Sequence, residues 1–436
     1  MIDENLRAEI IKYYNLKFPQ KKFEPGISSV LVTGKVFDEN EMLKMVEAVL
    51  DGWWTEGHFS DEFERKLAHW LGINFVALTN SGSSANLLAV TALTSKKLGD
   101  KRLKAGDEVI TVAAGFPSTV NPIIQNNLIP VFVDVELGTY NASVDEIKKA
   151  ISPKTRAIMI AHTLGNPFDL EQIKKLCIDH NLWLIEDNCD ALGSLYNGKK
   201  TGTFGHIATC SFYPAHHITM GEGGAVFTND ATLNSIVRSV RDWGRDCYCK
   251  TGADNTCGMR FGWQLGDLPY GYDHKYIYSE MGYNLKITEM QAALAVAQFD
   301  KLDGFVEKRR ANFNKLFEGL KKYEEYFILP MWQTQAEPSW FGFLLTVREG
   351  APFERNDIIQ YLLSQNIHTR YLFAGNLTKQ PYFVDNDINY KISGELKNTD
   401  LIMDNTFWIG VFPGLNDEMV EYTISCFDKF LEVYKK

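Results

Sequence analysis

The chain has 436 residues, with 45 Lys and Arg against 55 Asp and Glu, for a formal net charge of −10. Hydrophobic residues make up 45% and charged residues 23%, which excludes wholesale disorder, and the acidic surplus argues against a nucleic-acid coat, which needs clustered Lys and Arg. No apolar run reaches the ~18 residues of a membrane span, and the start MIDENLRAEI lacks the basic-then-apolar pattern of a signal peptide, so a cytoplasmic protein is expected.

Residues 2–18 have the pattern of an amphipathic helix ended by Phe18-Pro19, and a second helix is expected over 39–52. A third should begin near Ser60, a candidate N-cap, and stop at Gly72. Strands and helices then alternate, with strands expected at 74–80, 107–113, 129–135, RAIMIAHTLG and 182–188, and with ATCSFYP and GGAVFTN as further apolar runs. Short apolar runs separated by helical patterns describe βαβ units around a mostly parallel sheet buried on both faces. A long helical stretch from Ile287 to about Phe327 leaves this lobe. Beyond it, FGFLLTV, NDIIQYLLSQN and the final EMVEYTISCFDKFLEVYKK suggest a smaller α/β lobe. The expected division is a helical arm 1–36, a large domain 37–300 and a small C-terminal domain 301–436. The interval 245–280 is rich in Cys, Gly, Tyr and Asp and lacks periodicity, as functional insertions commonly do.

Three segments fall where βα loops should lie. Ser81-Gly82-Ser83-Ser84-Ala85 follows a strand and opens a helix, where small residues let backbone N–H groups approach a phosphate; a plain capping turn would read the same. Glu186-Asp187-Asn188-Cys189-Asp190 follows an apolar strand, at the edge of a parallel sheet where ligands bind. The third segment runs from Ser211 through the adjacent His216 and His217 to Gly223-Gly224.

In this order and spacing, and together with Met281-Gly282-Tyr283-Asn284-Leu285-Lys286, the segments resemble the sugar aminotransferase (DegT/DnrJ/EryC1/StrS) branch of the fold type I pyridoxal-phosphate enzymes. The resemblance implies an α/β fold with a large, mostly parallel sheet and a smaller C-terminal α/β domain. It implies that Gly82, Ser83 and Ser211 hold the cofactor phosphate, that Phe116 stacks on the pyridine ring, and that Asp187 pairs with the ring nitrogen so that the ring withdraws electrons. Asp190 would lie near the ring hydroxyl, and Asn284 would reach the phosphate of a second subunit, which implies a homodimer. Lys286 stands where the family has Arg. The family's cofactor-binding lysine lies five residues after the Ser of its SF pair, and this chain has His216 there. Imidazole is not a primary amine and cannot bind the aldehyde form of the cofactor covalently. Pyridoxamine phosphate, the amine form, brings its own amine, and His216 then suits a proton-transfer role. His217 reads as structural.

Of seven cysteines, Cys189, Cys247, Cys249 and Cys257 have the spacing C-x57-C-x-C-x7-C, while Cys177, Cys210 and Cys426 sit in apolar patterns and read as core. Four thiolates can close a zinc site or hold a 2Fe–2S cluster, and spacing alone favours neither. Joined to His in place of Lys, this spacing is similar to that of the iron–sulfur, pyridoxamine-phosphate-dependent 3-dehydrases that act on CDP-4-keto-6-deoxyhexoses in the synthesis of 3,6-dideoxysugars such as those of O-antigen lipopolysaccharide. That resemblance implies a CDP-sugar substrate, a 2Fe–2S cluster, and electrons from a separate NADH-dependent flavin/iron–sulfur reductase. No G-x-G-x-x-G follows a strand here. Arg370 and Tyr278 are candidates for the nucleotide diphosphate or sugar, and a solvated Arg370 reads equally well. The rival readings are an aminotransferase using another lysine, a non-catalytic zinc protein, and a cluster-independent GDP-sugar deoxygenase.

Overall fold

Each apolar run of the first half becomes a strand, shortened at its ends where turn residues begin. The computed structural model describes residues 2–434. The strands are β1 (Phe75–Thr79), β2 (Glu108–Val112), β3 (Ile129–Val133), β4 (Thr155–Ala161) and β5 (Trp183–Asp187). Next come the short β6 (Leu195–Tyr196) and β7 (Lys199–Lys200), then β8 (Ile207–Ser211) and β9 (Gly224–Thr228). The C-terminal part adds β10 (Phe327–Ile328), β11 (Ala336–Glu337), β12 (Gly342–Val347), β13 (Arg370–Tyr371), β14 (Lys391–Ile392) and β15 (Thr406–Gly410).

Eight of these form one sheet in the order β1-β9-β8-β5-β4-β2-β3-β14. Its pairings are parallel except where β9 meets β1 and β8. β2 and β8 are buried at every position, as strands covered by helices on both faces must be. A four-stranded antiparallel sheet, β10-β12-β15-β13, carries the smaller lobe. Its core is a second apolar cluster that includes Phe313, Phe327, Phe343, Phe407 and Phe427. β11 joins the β6–β7 hairpin as a small ribbon against the large lobe.

Several elements depart from the sequence expectation, each for a local reason. The third helix runs His58–Leu71, with Gly57 as N-cap. Ser60 is not its cap but is buried within it, donating its hydroxyl to Glu289 Oε1 at 2.6 Å. Gly72 does end the helix, at φ 72°, the left-handed conformation glycine adopts without strain. The helical stretch from Ile287 is two helices, Glu289–Phe299 and Leu302–Leu320, broken at Asp300-Lys301. Helices Pro117–Gln125 and Ala231–Arg241 add to those expected. The last helix is Asp417–Glu432; of the final run, residues 435–436 lie outside the described residues. β14, from the C-terminal third, returns to pair in parallel with β3 of the large sheet.

The interval 245–280 holds turns and one short 3-10 helix, His274–Tyr276, with its ends drawn together by a bridge between Arg245 and Tyr278. No helix among the described residues is long and apolar enough to cross a membrane.

Candidate active site

The C-terminal ends of β1, β5 and β8 bring the three loop segments together. Ser81 caps the helix Gly82–Ala92, its Oγ accepting from Ser84 N at 3.0 Å, so the first N–H groups of that helix are presented at the sheet edge. Gly82 is pressed against β8: a Cβ there would lie 2.4 Å from Ser211 Cβ. Backbone N–H groups at a helix start beside a serine hydroxyl make a cradle that fits a phosphate.

Asp187 ends β5 and is 4% exposed. Its Oδ2 accepts from Asn86 Nδ2 at 2.8 Å and Thr119 Oγ1 at 2.7 Å, and its Oδ1 from Cys189 N at 3.1 Å. Asn86 is oriented in turn by Thr209, whose hydroxyl donates to Asn86 Oδ1 at 2.6 Å. These three donors fix the orientation of the carboxylate at the sheet edge, where it fits a pyridine nitrogen. Phe116, 53% exposed, sits at the start of the helix Pro117–Gln125, edge-on to Phe373 with ring centroids 6.1 Å apart. The other carboxylate of the ED pair, Glu186, is structural: fully buried, it faces His162 Nε2 at 3.0 Å and accepts from Gly202 N and Phe204 N, both at 2.8 Å.

His216 keeps 15% of its side chain open, and its Nδ1 stands 3.4 Å from Asp190 Oδ1. That separation is longer than an ordinary hydrogen bond. Burial, then the charge of Arg309, pulls the His216 imidazole down to about 4, so it is neutral near pH 7. Burial, then Asp187, pushes the Asp190 carboxyl up to about 8. The two therefore meet as a largely neutral pair rather than as a salt bridge. Arg309 lies beneath them, fully buried, donating to His216 O and Trp340 O, both at 3.2 Å. His217 is 2% exposed with Nε2 2.9 Å from Ser339 O, a structural place.

Other expected residues lie apart from this group. Asn284 is exposed, its backbone bridging to Asp242. Lys286 is committed elsewhere, paired with Asp242 and lying 4.2 Å over the Trp243 ring. Arg370 and Tyr278 are both exposed, and the Arg370 guanidinium donates to its neighbouring carbonyl, Thr369 O, at 2.8 Å.

The cysteines divide. Cys247, Cys249 and Cys257 line one small pocket in the irregular interval, whereas Cys189 lies in the cofactor cleft beside Asp187. Burial opposes ionisation of Cys249, yet hydrogen bonding from Thr256 holds its thiol below the ordinary range. Cys189 is pushed well above that range by burial and by Asp187. Among the described residues, no three His, Cys, Asp or Glu side chains stand in an arrangement that could hold a metal ion. Three of the four thiols thus share a pocket, and the fourth does not join them within this chain. Cys177, Cys210 and Cys426 are buried, as core positions should be.

Asn86, Thr119 and Arg309 went unnoticed in the sequence, though two of them left a signal. Asn86 stands one helical turn after Gly82, hence on the same helix face. Arg309 interrupts the apolar stripe Leu302, Val306, Phe313, Leu316, Leu320, where a charge has no reason to be unless it is used. Thr119 gave none, because its helix is a polar, proline-containing stretch without apolar periodicity.

A predominantly parallel sheet, with a glycine-started helix after β1 and a buried carboxylate at the end of β5 brought to the same edge, has the architecture of the fold type I class of pyridoxal-phosphate enzymes. The match to the DegT/DnrJ/EryC1/StrS aminotransferase family model spans residues 36–428, and the chain belongs to that family. It is 56% identical over 434 residues to the lipopolysaccharide biosynthesis protein RfbH of Salmonella typhimurium, covering 99% of both chains. It is 49% identical to a dTDP-4-dehydro-2,6-dideoxy-D-glucose 3-dehydratase of Saccharopolyspora spinosa, over 97% of this chain and 90% of that one. Among solved structures, an E. coli GDP-4-keto-6-deoxy-D-mannose-3-dehydratase with bound hydrated PLP superposes with a TM-score of 0.82 at 26% identity, covering 91% of this chain and 98% of that one.

Proposed function

We propose that this protein is a pyridoxamine-phosphate-dependent 3-dehydrase of a nucleotide-linked 4-keto-6-deoxyhexose, acting in deoxysugar biosynthesis. The observation that carries this reading is His216, a neutral imidazole beside Asp190 at the position from which family members bind their cofactor through lysine. Two relatives bearing 3-dehydratase names support it. Within the class, we favour CDP-4-keto-6-deoxyglucose as substrate, on the cysteine spacing and on the similarity to a lipopolysaccharide biosynthesis protein.

Pyridoxamine phosphate supplies an amine for the sugar ketone and a ring that withdraws electrons. In our reading, Gly82, Ser83 and Ser211 hold its phosphate, Phe116 covers the ring and Asp187 keeps the ring nitrogen protonated. His216, with one unprotonated ring nitrogen at pH 7, accepts a proton from the carbon bearing the cofactor amine. Asp190, carrying its proton, stands beside that imidazole and limits where the ring can point. Exposed Asn284 would complete the phosphate site of a second copy, making the enzyme a homodimer.

Removing the sugar's C3 oxygen also needs two electrons. A 2Fe–2S cluster at Cys247, Cys249 and Cys257 would supply one-electron transfer from a separate reductase. Support for this arm is the shared pocket and the lowered Cys249 thiol; Cys189 could join only by rearrangement or from a second copy.

The test is anaerobic incubation with CDP-4-keto-6-deoxyglucose and pyridoxamine phosphate, with and without an electron source. Reversible solvent-hydrogen exchange without net product is expected when electrons are withheld. Complete conversion without any reductant would refute the reading. The aminotransferase alternative has one specific observation behind it: Lys35 lines a small recess together with His216, its ammonium lying 5.5 Å over the Phe37 ring. Borohydride trapping of cofactor on Lys35 of the wild-type protein would favour that alternative.

A further inference from the structure

The small recess shared by Lys35 and His216 is completed by the polar side chains of His217, Thr219, Gln298 and Arg309. Its walls come from separate parts of the chain and are tied to one another. Gln298 donates through Nε2 to Val36 O at 2.9 Å and accepts from Thr219 N at 3.3 Å, which fixes the Lys35 segment against the His216 loop. Besides His216 Nδ1, which faces Asp190, two buried atoms on these walls have no hydrogen-bond partner: Arg309 Nε and His217 Nδ1. Their characters are opposite. His217 Nε2 faces Ser339 O, which only accepts, so the ring proton sits on Nε2 and Nδ1 keeps a lone pair. Arg309 Nε only donates. A single water satisfies both, accepting from Arg309 and donating to His217, whereas a halide or an ionised carboxylate has no proton for Nδ1. The free space is about 10 Å³, room for one such oxygen and not for a sugar. Lys35 adds a second positive charge, its ammonium lying 5.5 Å over the Phe37 ring rather than against a carboxylate.

A 3-dehydrase must expel the C3 hydroxyl of its sugar, a poor leaving group that needs a proton and a position near positive charge. We propose that this recess receives the oxygen expelled from sugar carbon 3, with Arg309 and Lys35 stabilising it and His217 Nδ1 accepting its hydrogen bond. His216 hands the departing oxygen the proton it took from the carbon bearing the cofactor amine. The electron pair left by that proton fills the new double bond as the C3–O bond breaks, and the C3–O pair leaves on oxygen. Water is thus lost with no outside oxidant or reductant. The inference deepens the proposed function and rests on it.

Two measurements on the full-length protein test it. A high-resolution crystal structure of the wild type without cofactor should show an ordered water within hydrogen-bond distance of both Arg309 Nε and His217 Nδ1; a recess closed by side chains would overturn the proposal. The second is anaerobic incubation with CDP-4-keto-6-deoxyglucose and pyridoxamine phosphate in deuterated, 18O-labelled water with no electron source. Deuterium at the cofactor's amine-bearing carbon reports proton removal by His216, and 18O at sugar carbon 3 reports reversible loss of the oxygen. Both labels should enter in the wild type. Lys35 is exposed, so Lys35→Met should fold, and it should slow 18O entry by roughly 10- to 100-fold, the worth of one charged hydrogen bond, while deuterium entry is nearly unchanged; Lys35→Arg should restore 18O entry. Equal slowing of both labels in Lys35→Met, or of neither, would overturn the role of the recess and leave the proposed function standing. A wild type that takes up neither label would overturn both.

Discussion

In the proposed function Asp187 pairs with the cofactor ring, and its carboxylate is oriented by neighbours. Asn86 and Thr119 each supply one hydrogen bond to Oδ2. Hydrogen bonds to charged groups are worth about 1.5–3 kcal/mol, so Asn86→Leu should weaken pyridoxamine phosphate binding by roughly 10- to 100-fold, measured by absorbance titration, with the thermal midpoint little changed. His216 gives a second prediction. Its folded value of about 4 lies below the ~6.5 of an unfolded histidine, so between those limits the unfolded chain takes up a proton that the folded chain refuses. Stability should therefore fall as pH drops from ~6.5 toward 4, by on the order of 3 kcal/mol from this group, and be regained above ~6.5. Urea unfolding at stepped pH should show a shallower dependence in His216→Asn; an unchanged slope would mean that this imidazole is charged in the native protein. In the opposite direction, His216→Lys restores a primary amine, and on exposure to pyridoxal phosphate it should give a borohydride-trappable adduct with loss of dehydration.

The helix Gly82–Ala92 shows how a segment can be legible while its chemistry is only half so. The run of small residues after β1 announces a turn into a helix, and it is one. What the sequence cannot display is the contact that makes Gly82 obligatory, because Ser211 lies over a hundred positions away in the chain and 2.4 Å from where a Cβ would be. Gly82→Ala should cost about 1–3 kcal/mol of stability through overpacking. It should also reduce phosphate-dependent cofactor affinity, because the helix start must shift; calorimetry and cofactor titration on the same variant separate the two effects. The strands read well because their apolar runs reflect burial on both faces, a property of the local sequence. Pro117–Gln125 read badly because a polar, proline-containing stretch has no apolar periodicity to reveal a helix that lies beside the site. The four-cysteine spacing, taken as one ligand set, spreads over two places, since spacing along a chain carries no information about which loop faces which.

Arg309 joins the two lobes at the point where the cleft lies between them. Carried on the helix Leu302–Leu320, it donates to a carbonyl of the His216 loop and to one next to β12 of the smaller lobe. Arg309→Leu would leave both carbonyls buried without a donor. The expected cost is about 2–5 kcal/mol, read by chemical denaturation, together with a larger loss of activity than stability because the His216 backbone is released. An unchanged unfolding midpoint would show that the helix is held without it.

β14 has a consequence for how the molecule is made. It pairs in parallel with β3, the strand that would otherwise be the rim of the large sheet, and Lys391 at its start reaches Glu108 Oε1 at 2.6 Å. While the nascent polypeptide emerges from the ribosome, that rim must wait uncovered until residue 392 has been translated, long after the remainder of the sheet is available. An unprotected rim is the place where strands of separate molecules add to one another. Premature termination before β14 should therefore yield inclusion bodies rather than a soluble amino-terminal fragment.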